Sequence, residues 1–382
     1  MTDISDLIQP LVALRRDIHA HPELGFKETR TAGRIAEALR AAGLDVHEGI
    51  GGTGVVGVLK GRSGPRSLGL RADMDALPMV EKTGLEWQST VEGCFHGCGH
   101  DGHVAMLMGA AQALARDPQF SGTLNFIFQP AEEGLGGARH MIEDGLFERF
   151  PCDRVYALHN WPALPAGTIA TRAGPIMGAA DKFYLTLTGK GGHAALPHVT
   201  PDAILAAAAL VQQLNTIVAR DVPPSSNAVL SVTQFAGGQS HNVLPAEVRL
   251  GGTVRTFDMA VQDRIEERLR EISAGIAASF NVSVTVEYDR YYPASINDAE
   301  AAEDVLHIAA DIAEAYRAPE PAATSEDFSY MLQARPGAYI WLGQGCGDNS
   351  PALHNPHYDF NDDVLETGMR LHIALARHWL RD

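Results

Sequence analysis

Apolar residues recur along this chain with two different periods, and the style changes twice. Over 28–43 ("ETRTAGRIAEALRAAG") the spacing is helical and closes at Gly43, a good C-terminal stop. Short apolar runs at 55–59, 67–73, 123–129 and 154–159 read as buried strands, and 103–116 reads as a helix between two of them. Strands alternating with helices predict an α/β fold, a mixed sheet flanked by helices. From about residue 180 the pattern differs. "DKFYLTLTGK" (181–190) alternates apolar and polar positions, as a half-exposed strand does. A helix (201–219), two strands (227–238 and 247–257), a charged amphipathic helix (260–280) and a strand (282–291) complete a β-α-β-β-α-β order, the ferredoxin-like unit. The first style then returns, with a helix over 299–317, a buried strand over 338–344 and a C-terminal helix. The simplest organisation is one α/β domain built from 1–179 and 293–382, with a βαββαβ domain inserted at 180–292.

Composition changes this picture little. With 382 residues, 45% hydrophobic and 20% charged, the chain has material for two cores. Its net charge of −17 argues against nucleic acid or an anionic membrane as the main partner. The N-terminus lacks a basic start followed by an apolar run, and no run reaches the roughly 18 uninterrupted apolar residues of a membrane span. Four cysteines (Cys94, Cys98, Cys152 and Cys346) with no secretion signal predict thiols rather than a disulfide framework, in a cytoplasmic setting.

The chemistry concentrates in "HGCGHDGH" (96–103). Cys98 and His100 stand two apart, so on a loop both can face one ion, and the glycines let the backbone bend closely around it. A lone histidine would read as an ordinary loop residue; this density favours a metal site. More candidates end strands: Asp73 and Asp75 after "SLGLR", Glu132 and Glu133 after "TLNFIFQP", and His159 closing "RVYALH". Sites in open α/β sheets gather beyond the carboxyl ends of strands. Each residue alone has a plainer account, as a helix cap or a satisfied edge histidine. In the adjacent glutamates, one carboxylate can bind metal while its neighbour takes a proton from water. Late in the chain His354 offers a further ligand, with His357 a competitor in the same stretch. Mixed Cys/His/Glu donors suit zinc, manganese, cobalt or nickel, and more than four of them suggest two ions.

"RADMDALP" (71–78), "HGCGHDGH", "FQPAEEG" (128–134), "LHNWP" (158–162), "GKGGHAALPH" (189–198), "HNVLP" (241–245), "GTVRTF" (252–257) and "SEDFSYM" (325–331) appear in order. With these motifs the chain resembles the aminoacylase and hippurate hydrolase branch of the dinuclear metallopeptidase and amidohydrolase family. The resemblance runs from about residue 10 to the C-terminus. "ERFPCDRVYALHNWPALPAG" (148–167) is most similar to hippurate hydrolases. The resemblance implies a metallopeptidase-like catalytic domain with an inserted dimerisation and lid domain. It implies Cys98, His100, Glu133, His159 and His354 as ligands of two divalent ions, Glu132 as general base and Asp75 as a carboxylate orienting a ligand. His193 would steady the oxyanion in the partner subunit's site of a homodimer, and Asn242 and Arg255 would contact substrate. The wider family often has a histidine ligand where Asp73 stands, and Cys98 would compensate.

The expectation is therefore a metal-dependent amidohydrolase that cleaves N-acyl amino acids, N-benzoyl or N-acetyl, with N-acetyl-diaminopimelate as an alternative substrate. Two rivals remain open at this point. Cys98 could be a nucleophile, which a chelator would spare. The chain could also bind a metal or ligand without turnover, although a binder has no need of Glu132.

Overall fold

A computed structural model describes residues 4–345 and 350–381, so Cys346 lies outside them. The chain divides into two compact units, 1–176 with 296–320 and 327–382, and 177–295 with 321–326.

The first unit is organised by an eight-stranded mixed sheet. Its strand order is Asp45–Ile50, Gly54–Lys60, Ser121–Gln129, Arg62–Asp73, Arg154–Pro165, Gly337–Gly345, Ile169–Thr171, Ala315–Arg317. Ser121–Gln129, Arg62–Asp73, Arg154–Pro165 and Gly337–Gly345 run parallel to one another. Their near-continuous apolar stretches suit strands buried on both faces. Helix His100–Arg116 is buried almost all round, packed by Ser5–Ala20 and Leu365–Trp379. Its all-round apolar character follows from that position, since neither side faces water. The resulting core joins Leu107, Leu114, Phe126, Leu158, Ile340 and Met369.

The helix expected over 299–317 ends at Ala309. Ala315–Arg317 instead pairs in parallel with Ile169–Thr171 at the sheet edge, where tertiary pairing outweighs an alanine-rich helical preference. The opening helix Ser5–Ala20, with Pro10 inside it, and the edge strand Asp45–Ile50 are further elements that the sequence pattern did not single out.

The second unit is a four-stranded antiparallel sheet ordered Ala228–Ala236, Glu247–Thr256, Ala179–Thr188, Ser283–Tyr292. Phe183, Leu185 and Leu187 point inward while Tyr184 and Thr188 face water, the period-two pattern of a sheet covered on one side. Helices Ala203–Leu214 and Met259–Phe280 pack on that covered face. Asp202 and Asp258 cap them by accepting backbone N–H groups of Ile204, Leu205 and Ala260. Residues 321–326, expected in the first domain, cluster with this unit because Gly178 N–H donates to the carbonyls of Ala322 and Thr324.

No run of 18 uninterrupted apolar residues occurs, but one interrupted stretch is apolar on average. Ala203–Asp221 is long and apolar enough to cross a membrane by length and composition. Its Ala203, Ala206, Ala207, Leu210, Leu214 and Ile217 are core residues of the second unit, and a helix packed on a sheet passes the same test.

Candidate metal centre

Three parallel strands of the first unit deliver their chemistry at one edge of the sheet. The register pairs Asp73 with Gln129 and Arg71 with Ala157, which sets Asp73 level with His159. Glu132 and Glu133 follow Gln129 by three and four residues. Helix His100–Arg116 starts at the same edge, after the loop that carries Cys98. Gly99, with φ 90°, makes the entry: a Cβ there would stand 2.5 Å from Asn160 Oδ1 and 2.6 Å from the Tyr358 hydroxyl.

Cys98, Glu133 and His354 present donor atoms within 4.8 Å of one another, as do His100, Glu132 and Glu133. Cys98 Sγ lies 3.5 Å from His159 Nε2, and His354 Nε2 lies 3.1 Å from Glu133 Oε1. The five residues expected as ligands therefore meet in one place. Of the two late histidines, His354 is the one that lies with Cys98 and Glu133. Its backbone N–H donates to Gly97 O at 2.8 Å, which ties it to the cysteine loop, whereas the His357 N–H closes a local turn on Asn355 Oδ1.

The donors are oriented from behind. His159 Nδ1 donates to the Asn160 carbonyl at 2.7 Å, which leaves the Nε2 lone pair facing Cys98. Burial holds this imidazole well below the usual histidine range, so it is neutral. Asp75 spans two donors: Oδ1 lies 3.2 Å from His100 Nδ1, and Oδ2 accepts the Glu133 N–H at 2.9 Å. Burial pulls the His100 imidazole down, but Asp73, Asp75 and Glu133 outweigh it and raise it to about 10. Burial, reinforced by Glu133, Glu132 and Asp73, pushes the Cys98 thiol well up. A pocket this rich in carboxylates calls for a cation.

The donor set fits a divalent ion on geometric grounds as well. His100 Nε2 is buried with no hydrogen-bond partner, and buried Glu133 Oε1 faces only the His354 ring nitrogen. Buried polar atoms are rarely left so, and an ion is a standard reason. Positive charge at that point would satisfy both and would also make the Cys98 thiolate accessible. The raised thiol also disfavours Cys98 as a nucleophile, which needs the opposite shift.

The turn that presents the two glutamates is unusual. Ala131 adopts φ 54°, ψ 42°, a left-handed conformation that costs a non-glycine residue about 1–2 kcal/mol. Its N–H donates to Glu28 Oε1 at 2.8 Å and its carbonyl accepts from Gly137 N–H at 3.0 Å. A Cβ on Gly137 would fall 1.7 Å from the Pro130 carbonyl, so that position admits only glycine. Glu132 is buried and accepts the Asp327 N–H at 3.4 Å. Asp327 in turn is held by Gln129 and by the buried guanidinium of Arg71, which also binds Asp73 at 2.7 Å.

His103 and Asp73 stood outside the expected ligand set. The His103 ring bonds Asp73 through Nδ1 and Asn160 Oδ1 through Nε2, and Asp73, His100, His103 and His159 form a fully buried cluster. The signal was available, because His100 and His103 at i, i+3 share a helix face. His193, Asn242 and Arg255 belong to the second unit. His193 and Asn242 meet on one small ribbon, where Ala194 N–H donates to Asn242 O at 3.0 Å, and both are exposed. Arg255 is half-buried on the sheet and donates to the Val254 carbonyl at 3.1 Å.

Comparison with known proteins agrees with this geometry. A family profile described as peptidase family M20/M25/M40 matches residues 69–378. A thermostable carboxypeptidase of Saccharolobus solfataricus is 38% identical over 98% of this chain and 96% of its own. A hippurate hydrolase of Campylobacter jejuni is 38% identical over 99% of both chains. A solved Bacillus subtilis structure, described as a dinuclear metal-binding peptidase of the M20 family, superposes with a TM-score of 0.87 at 32% identity, covering 98% of this chain and 99% of that one.

Proposed function

The chain belongs to peptidase family M20/M25/M40, as a metal-dependent hydrolase of amide bonds, and from that premise we propose that it cleaves N-acyl amino acids, with hippurate-like N-benzoyl and N-acetyl compounds as substrates. The observation that carries this reading is the division of labour between the paired glutamates. Glu133 lies among the Cys98 and His354 donors, while Glu132 is held beside them by the Asp327 N–H. A ligand carboxylate next to a separately anchored carboxylate is what water activation needs.

Cys98, His100, Glu133, His159 and His354 would hold two divalent ions, zinc, manganese, cobalt or nickel, which supply Lewis-acid polarisation of the amide and a lowered pKa for water. Glu132 takes the proton of the attacking water and hands it to the leaving amine. Asp75 fixes the His100 ring and the Glu133 backbone. His193, supplied across a homodimer, steadies the oxyanion, and Asn242 and Arg255 contact the substrate; Arg255 suits a free α-carboxylate. These three roles rest on the resemblance of their motifs, as does the dimer. A cytoplasmic setting completes the reading.

The test is amine release by the full chain from hippurate, N-acetylmethionine, N-acetyl-diaminopimelate and a benzoyl dipeptide. Each is assayed after metal stripping and reloading with manganese, zinc or cobalt. Turnover of hippurate or N-acetylmethionine that chelator abolishes and metal restores supports the proposal. Cleavage of the dipeptide alone would make the chain a carboxypeptidase instead. Tight metal binding with no turnover anywhere would leave a binding protein.

A further inference from the structure

Glu28 plays no part in the chemistry above. It lies at the start of helix Thr29–Ala41, where an acidic residue needs no special explanation. Yet its side chain is fully buried and faces away from that ordinary role. Oε1 accepts the N–H of Ala131 at 2.8 Å, and Oε2 accepts the hydroxyl of Thr53. Ala131 is the residue in left-handed conformation immediately before Glu132, and only four non-glycine residues among those described have positive φ.

The geometry points to Glu28 as a positioning residue: its buried carboxylate clamps the Ala131 N–H and so fixes the strained turn that aims Glu132 and Glu133 at the donor cluster. Strain of this kind persists only where surrounding contacts over-determine it. The contacts here are identifiable. Gly137 N–H holds the Ala131 carbonyl, Asp75 holds the Glu133 N–H, and Asp327 N–H reaches Glu132 itself. Glu28 secures a further polar group, the N–H at the strained residue. Without it, the turn is free to relax toward right-handed backbone, which rotates the two following side chains. Thr53 fixes the second oxygen, so the clamp is set by reach as well as by charge. The inference rests on the roles proposed for Glu132 and Glu133.

Three variants of the metal-loaded full chain test it. Glu28→Gln keeps an acceptor at the same reach, Glu28→Asp keeps the charge but is one methylene short, and Glu28→Leu removes the acceptor. Steady-state kinetics normalised to bound metal are read beside amide hydrogen exchange of a peptide covering 130–137. The expected result is that Gln stays within about threefold of wild type, while Asp and Leu lose about 10–100-fold in kcat with KM nearly unchanged. Exchange protection of that peptide should fall in Asp and Leu and hold in Gln. Full kcat and full protection in Glu28→Asp overturn the inference, as does an equal loss in Gln and Asp. If Leu does not fold, the Gln and Asp pair still decides. If wild type turns over no substrate, the hydrolase reading fails while the exchange measurement still judges Glu28.

Discussion

Asp75 Oδ1 stands 3.2 Å from His100 Nδ1, so the carboxylate holds a proton on that nitrogen. The partnerless Nε2 is left to face the donor cluster. Because the other oxygen of Asp75 binds the Glu133 N–H, one side chain orients a nitrogen donor and an oxygen donor together.

Replacing Asp75 by Asn should weaken metal binding by about 10–100-fold, the usual effect of losing an outer-sphere partner. The amide NH2 would face Nδ1 and push the ring proton to Nε2, the wrong side. Competition against a chelator measures this directly, and unchanged affinity would contradict the orienting role.

Arg71 is enclosed between Asp73, Asp327 and Gln129, with both carboxylates fully buried. Arg71→Met should destabilise the fold by about 3–5 kcal/mol, because two buried carboxylates lose their cation. Urea unfolding reads this, and a loss under about 1 kcal/mol, the range of an exposed ion pair, would show that the network is screened by water.

Burial is the largest influence on the Glu28 carboxyl, with Asp75 adding repulsion, and together they raise it to about 7 against 4.5 for the free group. The folded state therefore holds a proton that the unfolded chain has released between pH 4.5 and 7. Stability falls as pH rises through that window. Glu28→Gln, which cannot ionise, should match wild type near pH 5 and gain in relative Tm by pH 8. A Tm difference that is flat with pH would place the ionisation elsewhere.

Much of this was written in the sequence because the central strands are short apolar runs ending in chemistry. Asp73, Glu132, Glu133 and His159 could be singled out from strand ends alone, and Cys98 with His100 from their density. The choice of His354 over His357 could not be read from spacing. It depends on a hydrogen bond from His354 N–H to Gly97, which no local pattern records. Glu28 was invisible for the same reason. Its partner lies 103 residues away, and a first-turn acid looks like any other. The overrun of the helix past Ala309 has a different cause: alanine-rich sequence favours helix until an unpaired sheet edge offers a better use for Tyr316.

In the proposed reaction Glu132 moves the proton while Glu133 and its neighbours hold metal. The most direct measurement is kcat of Glu132→Gln on the best N-acyl amino acid, taken together with metal content per chain. The expected result is a fall of about 10²–10⁴-fold in kcat with metal retained at the wild-type level. Activity near wild type, or a loss explained wholly by missing metal, would contradict it.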